Sequence, residues 1–124
     1  MNNLIIKNLT KELKRLENFG GIIGAALVNR NGLLISSLLP RNIDERRFGA
    51  LSATMFGAVE SATSSLNDNQ IKNLTVEYEE YQLIVVEIDD RMIIVSLIDI
   101  DANLGLIFIE IEESIKNIRR IING

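Results

Sequence analysis

The stretch GIIGAALVNRNGLLI, residues 21–35, decides the fold because it predicts two short strands joined by a tight turn. The run at residues 22–30 is mainly apolar and β-branched in character, and a second, mainly apolar run begins at Leu33 and ends before Pro40. Between the two runs, Asn31-Gly32 is the strongest short hairpin signal, since both residues tolerate a positive φ in a type I′ turn. We therefore expect a hairpin of two strands at residues 22–30 and 33–39.

A first amphipathic helix is predicted before this hairpin, at residues 4–19. Its apolar residues recur at helical spacing, and charged residues occupy its other faces. The apolar set is Ile5, Leu9, Leu13 and Leu16. Gly20-Gly21 follows and provides the positive-φ residues with which helices commonly end.

A second helix is predicted after the hairpin, from an N-cap at Asp44 to about residue 66. Its apolar stripe is predicted to consist of Phe48, Leu51, Met55, Val59, Ala62 and Leu66. Beside this stripe lie two rows of small residues at four-residue spacing, which we call the small-residue ridge: Gly49, Ala53, Gly57 and Ser61, and Ala50, Thr54, Ala58 and Ala62. Each interior glycine costs a helix about 1 kcal/mol relative to alanine. The ridge therefore predicts a close neighbour, either the chain's own sheet or a partner helix.

The remaining sequence predicts three more strands and a last helix. A polar turn at residues 67–70 precedes an alternating run at 71–79, and two further β-rich runs at 81–88 and 92–98 flank a turn at residues 89–91. A helix with apolar residues spaced by three and four follows an N-cap at Asp99 or Asp101. The predicted fold class is an α+β sandwich of order α-β-β-α-β-β-β-α. Residues 1–124 are expected to form a single domain with an antiparallel sheet and helices on its faces.

Composition restricts the classes of function. The chain has 124 residues, of which 47% are hydrophobic and 24% charged, so folding over the whole length is expected. Its net charge of −4 argues against binding of nucleic acid, which requires clustered Lys and Arg. Uncharged stretches fall short of the roughly 18 apolar residues that span a bilayer. With no secretory signal at the start, we expect a cytoplasmic protein without direct membrane insertion.

Groups for catalysis or metal binding are scarce. The chain has neither His nor Cys, which removes the commonest general base, thiol nucleophiles and most zinc sites. The glycines at residues 20–24 are not followed by the Lys-Ser or Lys-Thr of a phosphate-binding loop. Four aspartates match no calcium-loop spacing and are interpreted as turn and cap residues: Asp89, Asp90, Asp99 and Asp101. We expect no catalytic residue, no cofactor and no metal.

A basic cluster lies around the predicted start of the second helix. It consists of Arg41, Arg46 and Arg47. One interpretation is a solvated loop and helix start. The other is an exposed surface that faces an acidic partner, since charge complementarity steers association.

The sequence resembles the roadblock family of dynein light-chain-like domains over nearly its whole length. The similarity begins with residues 21–35 and continues through the alanine-rich second helix, the strand with Val76 and Tyr78, the run LIVV at 83–86, and DANLGL at 101–106. These segments occur in the order found in the family. Their order and spacing carry the resemblance, because no one of the motifs is diagnostic alone.

The resemblance implies a five-stranded antiparallel sheet between helices and a homodimer in which second helices pack together and third strands pair. On that basis the dimer interface is expected to comprise Gly49, Ala50, Ala53, Thr54, Gly57, Ala58, Ser61, Leu74, Thr75, Val76 and Glu77. It also implies a non-enzymatic scaffold. Family members serve as adaptors on motor and signalling complexes, and prokaryotic members often regulate a small Ras-like GTPase. No catalytic residues carry over.

Two other classes of function stay open at this point. One is a small-molecule sensor with an apolar cavity between the sheet and the helices. A melting temperature that shifts with ligand, without a protein partner, would favour it. The other is an enzyme that uses a carboxylate pair, which would show turnover lost on substitution of one aspartate.

Overall fold

The computed structural model describes residues 1–66 and 70–124, and its helices and strands follow the predicted order. They are α1 Asn3–Glu17, β1 Ile22–Asn29, β2 Leu34–Leu38, α2 Glu45–Ser64, β3 Leu74–Tyr78, β4 Tyr81–Glu87, β5 Met92–Asp99 and α3 Leu104–Asn123. Three positions of the predicted turn, residues 67–69, lie outside the described residues. The α+β order predicted from the sequence is confirmed.

The five strands form one sheet of order β2-β1-β5-β4-β3, in which every pairing is antiparallel. Short connections account for the β1–β2, β3–β4 and β4–β5 pairs. The β1–β5 pair joins the two halves of the chain and places Leu27 opposite Ile94. This order leaves β2 and β3 at the two edges.

Helices cover both faces of the sheet. Successive strand residues point to opposite faces, so Leu27 joins the core under α1 and α3, whereas Val28 joins the core under α2. Helices α1 and α3 contact each other on one face. Helix α2 lies on the other face, against β1, β2 and β5.

The two cores differ in the size of the residues that the helices contribute. On the α1 and α3 side the helices bury leucines and isoleucines: Leu9, Leu13, Leu16, Ile107, Ile111, Ile115 and Ile118. Helix α2 buries Gly49, Ser52, Ala53 and Phe56, a set at the i, i+3, i+4, i+7 spacing of one helix face. Phe56 is therefore the one large side chain that α2 buries fully.

The predicted apolar stripe of α2 is wrong, because most of it does not face the sheet. Leu51 and Leu66 are 58% and 79% exposed, and Phe48 and Met55 are half-buried at the margin of the core. The sheet instead meets the small residues, because they allow the helix to lie close to it. A Cβ atom at Gly49 would sit 3.3 Å from Val28 Cγ2. The buried face of α2 is the one that can pack closely on the sheet, and the hydrophobicity of its residues alone does not identify that face.

The β1–β2 turn also differs from the predicted type I′. Gly32 has a φ of 92°, but none of the described non-glycine residues has a positive φ, so Asn31 does not meet the type I′ requirement. The Gly32 amide donates to the Asn29 carbonyl at 2.8 Å, and the Asn29 amide donates to the Leu33 carbonyl at 2.8 Å. This is a three-residue loop, a type I turn followed by a left-handed glycine.

The N-cap of α3 corrects a second local prediction. Asn103, rather than Asp99 or Asp101, accepts a hydrogen bond from the Leu106 amide at 3.2 Å. Asp99 instead accepts from the Asp101 amide at 2.9 Å and so belongs to the turn before the helix. The predicted cap of α2 is confirmed, since Asp44 accepts from the Arg47 amide at 3.2 Å.

Candidate interaction surfaces

Helix α2 presents a smooth uncharged surface to solvent, which we call the outer face of α2. It consists of Ala50, Leu51, Thr54, Ala58, Ser61 and Ala62, all of them exposed. The Thr54 hydroxyl donates to the Ala50 carbonyl of its own helix at 2.9 Å, so its polar group is already satisfied. The outer face therefore has no charged group between Ala50 and Ala62, a length of about 18 Å.

The small-residue ridge is divided between two surfaces. Gly49 and Ala53 are buried against the chain's own sheet, so they have no exposed surface to offer a partner. Ala50, Thr54, Ala58 and Ser61 lie on the outer face. Gly57 is half-buried at the boundary. Apart from its chain neighbours and the backbone of its own helix, no heavy atom of residues 1–66 and 70–124 lies within 4 Å of the position that its Cβ would take. Of the two neighbours weighed for the ridge, the sheet accounts for Gly49 and Ala53, and the residues of the outer face are exposed in the single chain.

The edge strand β3 carries the other interface residues named from the sequence. It pairs with β4 alone, so its second edge of backbone groups has no partner strand in the described part of the chain. Leu74 and Val76 are half-buried toward the α2 core, whereas Thr75 and Glu77 are exposed. An unpaired edge of this kind is a template for another strand.

The three arginines of the basic cluster are exposed around the start of α2. Across the two described ranges, none of them forms an ion pair. Arg47 precedes Leu51 by four residues and Thr54 by seven, so it extends the outer face by one turn. Arg46 points elsewhere and lines a surface depression with Gly32, Leu33 and Leu34. Arg41 lies in the loop after β2.

Comparison with known families and structures agrees with this geometry. Residues 9–97 match the Roadblock/LC7 domain. The chain belongs to the Roadblock/LC7 domain family. Uncharacterized protein MJ0714 of Methanocaldococcus jannaschii is 30% identical over 111 residues, which cover 90% of this chain and 93% of that protein.

Solved structures share the fold of this Roadblock/LC7 chain at lower identity. Myxococcus xanthus MglB superposes with a TM-score of 0.91 at 23% identity, covering 99% of this chain and 93% of that one. The gliding protein MglB of Thermus thermophilus gives a TM-score of 0.87 at 18% identity, covering 98% and 93%. The three helices and five strands described above therefore form the fold of MglB.

A half-buried ion-pair cluster joins α2 of this Roadblock/LC7 chain to the sheet. The guanidinium of Arg30, at the end of β1, binds the Glu60 carboxylate of α2 and, at 3.0 Å, the Glu87 carboxylate of β4. Its Cζ lies 5.4 Å from the centroid of the Phe56 ring. Burial acts to lower the pKa of Arg30, but Glu60 and then Glu87 outweigh it and raise the pKa above its ordinary value. Sequence reasoning assigned no role to Arg30, although a lone arginine in an apolar strand is a usable signal.

A second polar cluster joins α1 to α3. Glu12 is buried, and its carboxylate accepts from Arg15 Nε at 3.0 Å, Ser114 Oγ at 2.6 Å and Asn117 Nδ2 at 3.2 Å. Arg15 also binds Glu110 at 3.1 Å. Burial acts to lower the pKa of Arg15, and its hydrogen bonds to Glu110 and Glu12 raise it. The sequence did not reveal this cluster, because the residues on α1 and those on α3 are about a hundred positions apart in the chain.

Within residues 1–66 and 70–124, no three acidic side chains converge to hold a metal ion. Four surface depressions of about 290 to 460 Å³ are open to solvent, and none of these four is an enclosed cavity between the sheet and the helices. No helix in the described part is long and apolar enough to cross a membrane. The sensor hypothesis therefore gains no support from these four depressions.

Proposed function

We propose that this chain is a non-enzymatic, homodimeric scaffold that binds and regulates a small Ras-like GTPase or a larger assembly. Residues 1–124 act as one roadblock domain in this proposal, and the protein works in the cytoplasm. Membership of the Roadblock/LC7 family supports the class of function. The observation that carries the proposal is the outer face of α2, which is smooth, uncharged and exposed.

The homodimer places the outer faces of two α2 helices against each other. Small residues at this face allow two helix backbones to approach closely, and the absence of charge removes the desolvation cost of burying ions. The contacts come from Ala50, Thr54, Gly57, Ala58 and Ser61. Gly49 and Ala53 support the interface from beneath, since they are buried against the sheet.

The β3 strands pair across the same dimer axis and extend the sheet through Leu74, Thr75, Val76 and Glu77. Strand pairing supplies main-chain hydrogen bonds, and alternate side chains set the register. The free edge of β3 supports this arrangement.

The basic cluster is the partner-facing surface of the proposed dimer. Arg47 extends the outer face, and Arg41 and Arg46 lie beside it, all three exposed. Exposed cations with no carboxylate bound to them in the described chain increase the association rate of an acidic partner. A GTPase with an acidic surface is the partner that the family membership suggests.

The first test is the solution mass of the purified chain by light scattering over a dilution series, set against the chain's 13.9 kDa. A dimer mass is expected for the wild type and a monomer mass for Leu51→Glu. Leu106→Glu is the matched control, because Leu106 is a similarly exposed leucine, 51% against 58%, on α3. A monomeric wild type would contradict the homodimer, and an unchanged dimer in Leu51→Glu would contradict the outer face of α2 as its interface.

The second test concerns the GTPase. Each small Ras-like GTPase of the source organism, loaded with a non-hydrolysable GTP analogue, is titrated with the wild-type dimer. Arg41→Glu is expected to weaken binding by about tenfold or more while leaving the dimer mass unchanged, because Arg41 lies in the loop after β2 and outside the outer face of α2. Absence of binding to every such GTPase would refute the regulatory role without affecting the dimer.

A further inference from the structure

The edge strand β2 lies at the opposite edge of the sheet from β3, and its sequence does not block strand pairing. Its residues, Leu34 to Leu38, include no charged side chain and no proline. Natural edge strands usually carry such groups, because an unprotected edge pairs with other chains. The strand bonds to β1 on one side only. Its other side is an open row of backbone donors and acceptors.

A basic groove borders this edge on the α1 side, and we call it the lysine groove. It has a volume of about 460 Å³ and is lined by Lys7, Thr10, Lys11, Lys14 and Leu38. The lysines are spaced four and three residues apart, so they share one face of α1. Their aliphatic stems and Leu38 form an apolar floor, while the ammonium groups reach solvent.

The position of the lysines beside β2 is fixed. Thr10 Oγ1 and Ser36 Oγ lie 2.6 Å apart and join the middle of α1 to the middle of β2. Lys14 pairs with Glu17 at 3.4 Å, whereas Lys7 and Lys11 form no ion pair with a carboxylate of the described chain. Two cations therefore stay available next to the open edge.

The charge of the molecule is distributed unevenly between the two edges of the sheet. The β3 edge and the adjoining turn carry exposed acidic residues, Glu77, Glu79 and Glu80. The β2 side carries the lysine groove on one face of the sheet and Arg46 on the other, in a depression of about 400 Å³ with Gly32, Leu33 and Leu34. On that second face Glu45 also accepts a hydrogen bond from Ser37 of β2. In a chain of net charge −4, the β2 edge is thus positive on the α1 side, where the lysines lie.

From these observations we infer that the β2 edge binds an extended acidic segment of a partner protein by strand addition. Main-chain hydrogen bonds to residues 34–38 hold the segment, and its carboxylates face the lysine groove. Alternate residues of an extended strand lie about 6.6 Å apart on one face. This spacing is close to the separation of Lys7 and Lys11 along the axis of α1, which is about 6 Å. Acidic residues at alternating positions, with apolar residues between them, are the sequence that this edge accepts.

This surface is independent of the proposed homodimer. That dimer uses β3 and the outer face of α2, and so leaves a β2 edge free at each end of the extended sheet. A second copy is the competing occupant, because the β3 edge is acidic. Light scattering without any peptide separates the two, since pairing of β2 with β3 of another copy would produce masses beyond the dimer.

The test uses the purified full chain and a fluorescent octapeptide of alternating valine and glutamate. Saturable binding that weakens with added salt is expected, and replacement of the glutamates by glutamine should abolish it. The triple variant Lys7→Gln, Lys11→Gln, Lys14→Gln should bind about tenfold or more weakly. Lys72→Gln with Lys116→Gln is the control for loss of exposed lysines elsewhere, and it should bind as the wild type does.

Amide chemical shifts in a ¹⁵N-labelled chain locate the peptide. Shifts and slowed amide exchange confined to residues 34–38 and the facing part of α1 support strand addition. Shifts at residues 74–78, equal binding of the glutamine peptide, or no binding up to about 1 mM peptide would overturn it. Lysine-dependent sedimentation with anionic phospholipid vesicles, without peptide binding, would assign the groove to a membrane surface instead. None of these outcomes depends on whether the chain dimerises.

Discussion

The guanidinium of Arg30 binds the carboxylate of Glu60, and this contact joins the end of β1 to the C-terminal half of α2. Glu87 binds the same guanidinium from β4, and the Phe56 ring lies beneath it. The three contacts hold in place the helix whose outer face is proposed to meet a partner. Because α2 buries few large apolar residues, this cluster supplies much of its specific attachment.

Arg30→Met should destabilise the fold. The substitution keeps the length of the side chain but leaves two carboxylates close together without a cation. We expect a loss of about 1–2 kcal/mol in the free energy of unfolding, since partial exposure of the cluster screens its charges. Urea unfolding measures it. A double-mutant cycle with Glu60→Gln should show coupling, and additive effects would mean that the pair contributes nothing.

Glu12→Ala should lower the free energy of unfolding more than the removal of a surface carboxylate does. It leaves the buried Ser114 hydroxyl and the half-buried Asn117 amide without their acceptor, and removes one of the two carboxylates that bind the exposed Arg15. We expect a loss of about 1–3 kcal/mol. Glu17→Ala on the same helix removes only a contact with the exposed Lys14, and should change the free energy of unfolding by less than about 0.5 kcal/mol. Chemical denaturation of the two variants gives the comparison. Equal losses in the free energy of unfolding would show that the hydrogen bonds of Glu12 stabilise the fold no more than the exposed pair of Glu17 and Lys14 does.

Gly57 offers a test of the proposed helix contact in which two effects have opposite signs. In an isolated chain, Gly57→Ala should stabilise α2 by about 0.5–1 kcal/mol, because outside α2's own backbone and the two chain neighbours its Cβ meets no heavy atom of the described residues within 4 Å. In a dimer that brings two α2 backbones together, the same methyl should weaken association, and Gly57→Leu should yield monomers. Unfolding in the Leu51→Glu background and sedimentation of the dimer measure the two effects. An unchanged mass for Gly57→Leu would remove Gly57 from the interface.

Gly20 and Gly21 are adjacent but should respond oppositely to alanine. Gly21 has a φ of 96°, and a Cβ there would lie 2.6 Å from Ala102 Cβ. Gly21→Ala should therefore lower the free energy of unfolding by about 2 kcal/mol or more, from backbone strain and overpacking. Gly20 has an ordinary φ, and apart from its chain neighbours none of the described residues places a heavy atom within 4 Å of its Cβ position, so Gly20→Ala should be close to neutral. Thermal unfolding compares them, and similar melting temperatures would contradict the assignment of strain to Gly21.

The order of helices and strands was predictable from the sequence because each element has its own periodicity and ends at a local signal. The spacing of Leu9, Leu13 and Leu16 defines the buried side of α1, and all three are fully buried. The N-cap of α2 at Asp44 and the positive-φ glycine after α1, Gly21, were also predictable from local sequence signals. The pairing of β1 with β5 joins distant parts of the chain, and no local pattern specifies it.

The sequence could not predict which face of α2 packs on the sheet, or which residues from distant parts of the chain pair with each other. The inward face of α2 follows from close packing of Gly49 and Ala53 on the sheet, whereas hydrophobicity alone favoured Leu51, which is exposed. The partners of Arg30 and Glu12 come from other elements and appear only when the fold brings them together. The interface and partner-facing residues stay predictions, although most of them lie on exposed surfaces or at a free edge.

The small side chains under α2 have a consequence for the order in which parts of the fold open. Local opening costs least where little apolar surface would be exposed. Helix α2 rests on glycine, alanine, serine and one phenylalanine, whereas α1 and α3 share a core of leucine and isoleucine. In a lone chain, amide hydrogens of α2 should therefore exchange with deuterium before those of α1 and α3. Covering the outer face with a partner would remove that difference, so the exchange rate of one helix would report occupancy of the surface above it.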